Sequence, residues 1–208
     1  MIPLLLALLG VLILVLAGEY LRRVHLLHTE VTRKFIHITV AAFAATWPAF
    51  LEWRQIILIS LLMFGGIVLS RGMHLFRAIH GVQRRTWGEL FFAMSIGIVA
   101  VLAEDPWAFA AAMLVMGVAD GFAALAGTLF HGRRYHVFGH AKSVHGTATF
   151  LVMTLIILIS CTAAGDLSIS LAGILFLAAV SAVLENVSVA GTDNLFVPLA
   201  VILGINMF

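Results

Sequence analysis

The sequence predicts an all-α bundle of about eight membrane-crossing helices, and three observations carry that prediction. Of its 208 residues, 62% are hydrophobic and only 11% are charged, with a mean hydropathy of +1.12. The apolar runs approach the roughly 20 residues that cross a bilayer. The loops between them are too short to fold alone and alternate sharply in charge, so residues 1–208 read as one integral membrane domain. The net charge of +2 and pI near 9.1 are explained by topology before nucleic-acid binding, because basic residues collect in cytoplasmic loops. A single cysteine, Cys161, excludes an internal disulfide.

In chain order the expected spans are Ile2–Leu21, Phe35–Leu51, Gln55–Ser70, Glu89–Ala103, Trp107–Phe130, Thr147–Ala164, Ser168–Glu185 and Asn194–Phe208. The first has no basic region before it and is followed by Arg22 and Arg23, the pattern of a retained helix rather than a cleaved signal. Several spans are short, which tilt or local bilayer thinning accommodates. The first loop carries Arg22, Arg23, Arg33 and Lys34; the third Arg71, Arg77, Arg84 and Arg85; the fifth Arg133, Arg134 and Lys142. Of the 12 basic residues only Arg54 falls on the other side. The positive-inside rule therefore puts both termini outside and the odd-numbered loops in the cytoplasm.

That topology gathers the chemically distinctive residues on one face. The stretch Gly117–Phe150 opens with Asp120 among Gly117, Gly121, Ala124 and Thr128, spaced to share one helix face. Small residues alone would make a packing seam, but an aspartate within a span costs roughly 2.5–3.5 kcal/mol and implies a partner or a function. Beyond it, Arg133, Arg134 and Lys142 are followed by Ser143, Gly146 and Thr147 at the mouth of the next helix. A lysine, a hydroxyl and helix-start amides suit phosphate oxygens. The four loop histidines, His131, His136, His140 and His145, follow no zinc-ligand spacing and lie outside spans, which disfavours both zinc and haem.

Further on, Glu185 closes the seventh span and Asp193-Asn194 opens the eighth. A cap from Asp193 or Asn194 would explain part of this without function. Asp120, Glu185 and Asp193 nevertheless share a face, and three carboxylates are the inventory for Mg²⁺ on a nucleoside triphosphate. Glu89 is a further candidate, its structural role being favourable charge at a helix start. The chain has no G-x-x-x-x-G-K-S/T loop, which excludes an ordinary P-loop.

Taken together these segments resemble the dolichol kinase, phytol kinase and CTP-dependent diacylglycerol kinase family of polytopic lipid kinases. The resemblance rests on Arg33-Lys34-Phe35-Ile36-His37, Trp87-Gly88-Glu89, the helix Ala119–Gly127, Lys142-Ser143-Val144-His145-Gly146-Thr147, and Glu185 followed by Asp193-Asn194-Leu195-Phe196-Val197-Pro198. His145 departs from the family pattern, which has glutamate there, and Ala119 stands where glycine is common. The resemblance implies transfer of the γ-phosphoryl group of CTP to a membrane lipid alcohol such as a polyprenol, phytol or diacylglycerol. Asp120 and Asp193 would hold Mg²⁺, with Glu185 a further ligand or the base. Lys142, with Arg133 or Arg134, would hold phosphates, and Arg33, Lys34 and His37 would form the opposite wall. Two alternatives remain open at this level: a CTP-dependent cytidylyltransferase acting on a lipid phosphate, and a small ion-coupled transporter, although no inverted repeat of the transporter kind is present.

Overall fold

The computed structural model describes residues 1–24, 26, 29–73, 87–130, 132–165 and 167–208. Arg77, Arg84 and Arg85 of the third basic loop, His131 and Asp166 lie outside the described residues. The described chain is overwhelmingly helical: α1 (Ile2–Arg23), α2 (Thr29–Ala45), a 3₁₀ turn (Trp47–Ala49), α3 (Trp53–Gly72), α4 (Gly88–Leu102), α5 (Pro106–Leu129), α6 (Val144–Gly165), α7 (Leu171–Val187) and α8 (Asp193–Met207). Four of these, α1, α3, α5 and α6, are long and apolar enough to cross a membrane, and α4, α7 and α8 are shorter apolar helices.

Local chemistry sets several of the helix starts. Asp105 Oδ1 accepts from the amides of Trp107 and Ala108 at 2.7 and 3.3 Å ahead of Pro106, so α5 begins with an N-cap and a proline in its first turn. Ser170 Oγ caps α7 through the Gly173 amide at 3.1 Å, and Gln55 Oε1 accepts from the Glu52 amide at 3.0 Å at the head of α3.

Around this scaffold α5 is central and α1 peripheral. In its most apolar 18-residue window α5 is 72% buried against 17% for α1. It packs on α2, α6 and α8, while α4 joins α3 to α8 and α1 leans on α2. One apolar core, including Ala41, Trp47, Phe109, Met113, Phe150 and Ile202, runs through these contacts. Close approach of α5 to α2 is made by Gly117 and Gly121, where an added Cβ would lie 2.0 Å from Ala41 Cβ and 2.1 Å from Ile38 Cγ1. The small residues therefore do form a packing seam, and the carboxylate between them faces the same partner helix. Thr128, expected on that face, is exposed instead.

Two features depart from the uniform helical expectation. Within α5, residues Val115–Ala119 form a π turn immediately before Asp120, a rearrangement that recurs at functional sites. The loop after α5, expected to be irregular, is a hairpin of β1 (Arg134–Val137) and β2 (His140–Ser143). Its pairs are Arg134 with Ser143, Tyr135 with Lys142, His136 with Ala141 and Val137 with His140. Phe138 and Gly139 make the two-residue connection with φ of 48° and 80°. That is the left-handed pair a tight hairpin needs, written here with a phenylalanine where Asn or Asp is usual.

Candidate active site

Two walls meet at one end of the bundle. The first belongs to α2 and α5. Lys34 Nζ donates to Asp120 Oδ2 at 2.6 Å, and His37 Nε2 lies 3.3 Å from the same oxygen and 3.1 Å from the Met116 carbonyl. Met116 sits in the π turn, whose wider hydrogen-bond register re-aims carbonyls that an α-helix would keep to itself. Lys34 and His37 are three residues apart on α2, which puts both side chains over Asp120. Asp120 is only 6% exposed, so these partners offset much of the penalty of burying its charge.

The second wall joins the hairpin to α7 and α8. Lys142 Nζ donates to Glu185 Oε1 at 2.8 Å and to the Glu185 carbonyl at 2.7 Å. Tyr135, directly across the hairpin from Lys142, projects on the same face. Its hydroxyl donates to Asn186 Oδ1 and contacts Thr147 Oγ1, and Thr147 Oγ1 donates to Asn186 Oδ1 at 3.1 Å. The hairpin is thus docked at the end of α7 by one tyrosine and one lysine.

Between the walls Asp120, Glu185 and Asp193 each present one carboxylate oxygen within 4.8 Å of the others. Glu185 Oε2 and Asp193 Oδ1 are buried with no hydrogen-bond partner. Two ammonium groups against three carboxylates leave an excess of negative charge, and a buried carboxylate oxygen without a donor is costly. Oxygen-only donors in this number suit a hard divalent cation. The residues present therefore fit Mg²⁺.

The remaining sequence candidates fall into distinct places. Arg33 lies on α2 one turn before His37, at the edge of a cavity described below. Ser143 Oγ accepts from the Gly146 amide at 2.9 Å, so that amide, expected to face an anion, is capped by the chain itself. Thr147 is engaged with Asn186. Asn194, buried, donates from Nδ2 to the Gly88 carbonyl at 2.9 Å and ties the start of α8 to the start of α4. Glu89 pairs with Arg71, at 2.5 Å to Nη2 and 3.0 Å to Nε, and is not one of the three clustered carboxylates. Arg133 and Arg134 are exposed. His145 is also exposed and packs its ring on Phe130, with centroids 5.7 Å apart. Sequence reasoning missed Tyr135 and Asn186 as site residues. Once the hairpin register is known, the two-residue alternation that pairs Tyr135 with Lys142 would have found the first.

The chain is 35% identical over 202 residues to a phytol kinase of Synechocystis sp., a match covering 89% of this chain and 82% of that one. It belongs to the phytol kinase family. No protein-family model matches the chain, and no solved structure matches it. This phytol kinase-family member is thus related to that enzyme along most of its length.

Proposed function

We propose that this protein is a lipid alcohol kinase that moves the γ-phosphoryl group of CTP to the hydroxyl of a membrane alcohol such as phytol, a polyprenol or diacylglycerol. The observation that carries this reading is the meeting of Asp120, Glu185 and Asp193, two of them with partnerless buried oxygens, in a chain related to a phytol kinase. The charge pattern of the loops supports eight crossings with both termini outside and the site at the cytoplasmic face of the cell membrane, where nucleotide and alcohol meet.

Phosphoryl transfer demands in-line positioning and charge neutralisation more than covalent help from the protein. Asp120, Asp193 and Glu185 would hold Mg²⁺, which supplies electrostatic stabilisation of the phosphate oxygens when bound. Lys142, carried on the hairpin, reaches the phosphates by exchanging its bond to Glu185 for one to the nucleotide. Arg133 and Arg134 flank it, and Ser143, Gly146 and Thr147 hold the hairpin to α6. Arg33, Lys34 and His37 line the opposite wall. Glu185, released from Lys142, accepts the proton of the alcohol as its oxygen bonds to the γ-phosphorus and the bond to the β-phosphate oxygen breaks, leaving CDP.

Purified protein in detergent, given phytol, Mg²⁺ and γ-labelled CTP, is expected to yield labelled phytyl phosphate and CDP. Asp120→Asn should lower the rate at least a thousandfold, about 4 kcal/mol at 1.36 kcal/mol per factor of ten. Release of pyrophosphate instead of CDP, or a fully active Asp120→Asn, contradicts the proposal.

A further inference from the structure

A cavity of about 270 Å³ lies among α1, α2, α3 and α4, and its lining divides sharply by chemistry. Arg33, His37, Ser70, Glu89 and Asn194 form one end. Leu8, Val11, Val40, Met63 and Phe92 belong to the rest. Along α3, Met63 precedes Ser70 by seven residues, so the apolar part reaches about 10 Å from the polar end at 1.5 Å per residue. His37 belongs to both regions: it lines the cavity and its Nε2 lies 3.3 Å from Asp120 Oδ2. The cavity thereby adjoins the carboxylate cluster across a single side chain. An apolar channel closed at one end by a few polar groups matches an amphiphile with a small head and one hydrocarbon chain. Its volume sits just below the 300–1,000 Å³ typical of small-molecule pockets, room for part of one hydrocarbon chain.

Within this lining Gly66 is distinctive. It lies on α3 four residues before Ser70, and a Cβ built there meets nothing within 4 Å. The same is true of its neighbour Gly65, which does not line the cavity. A glycine inside an exposed helix carries a conformational cost that alanine or leucine avoids, and packing does not demand one at 66. What its absent side chain does is leave width in the channel.

Resting on the kinase reading above, we infer that this cavity holds the hydrocarbon chain of the lipid alcohol with its hydroxyl toward His37, and that Gly66 determines the chain width admitted.

The test compares Gly66→Leu with Gly65→Leu in the full-length protein in detergent. A twenty-carbon branched alcohol carrying a mid-chain diazirine is expected to photolabel cavity-lining peptides of the wild type. Gly66→Leu should reduce that labelling at least tenfold, and Gly65→Leu should leave it unchanged. In turnover, Gly66→Leu should raise KM for phytol at least tenfold while leaving kcat/KM for 3-methyl-2-buten-1-ol within twofold. Labelling outside the cavity, or equal labelling and equal KM in wild type and Gly66→Leu, overturns the inference. Cavity labelling that Gly66→Leu abolishes, in a protein that transfers no phosphate from any nucleotide, upholds the cavity and overturns the kinase reading alone.

Discussion

The two walls of the site use the same chemistry, a lysine on a carboxylate, and differ in what carries the lysine. Lys34 comes from a helix packed along its length on α5, and Lys34 and His37 converge on one oxygen of Asp120. Lys142 comes from a four-residue strand whose hold on the bundle includes Tyr135 and Asn186, and it satisfies only one oxygen of Glu185. The first wall is closed and over-determined; the second is left partly unsatisfied. That contrast assigns them different work. A buried pair within a helix seam fixes a carboxylate in place, whereas a pair across a hairpin can exchange partners when a cation and phosphates arrive.

The comparison can be broken by removing each lysine in turn. Lys34→Met leaves Asp120 buried beside only a histidine. Its expected cost is about 3–5 kcal/mol, the usual penalty of stripping one partner from a buried ion pair, read as a large drop in thermal stability in detergent of which Mg²⁺ recovers only a small share. Lys142→Met should cost less, about 1.5–3 kcal/mol for a hydrogen bond to a charged group, and millimolar Mg²⁺ should restore part of it through binding to the folded state. Equal losses with equal responses to Mg²⁺ would erase the distinction. The smallest effect is expected for Tyr135→Phe, about 1 kcal/mol for one hydroxyl. It should appear as a roughly fivefold fall in kcat/KM with unchanged thermal stability of the helices, because it loosens the hairpin and not the bundle.

The helical architecture was legible in the sequence because hydropathy and loop charge are local signals, and the eight helices among the described residues fall within the expected spans to within a few residues at most ends, α2 starting earliest. The trio Asp120, Glu185 and Asp193 was legible too: a carboxylate at a span end or within it is costly enough to stand out, and topology brought the three to one face. The hairpin was not, since its turn is Phe138-Gly139 rather than Asn-Gly and its strands are four residues long. With it went Tyr135, whose role depends on register. The π turn was equally hidden, because one extra residue in a helical turn leaves an apolar sequence looking unchanged. Glu89 looked like a cluster member and Asn194 like a phosphate contact, yet Arg71 and the Gly88 carbonyl engage them, partners that only tertiary packing supplies.

The account turns on one claim, that a single divalent cation is shared between the closed wall and the open one. Titration of the purified protein with Mn²⁺, followed by electron paramagnetic resonance of the free ion, measures it without requiring turnover. One site per chain is expected in the wild type, with affinity weakened at least tenfold in each of Asp120→Asn, Glu185→Gln and Asp193→Asn, and displaced by Mg²⁺. Wild-type Mn²⁺ affinity in Asp193→Asn, together with retained affinity in Glu185→Gln, would contradict it.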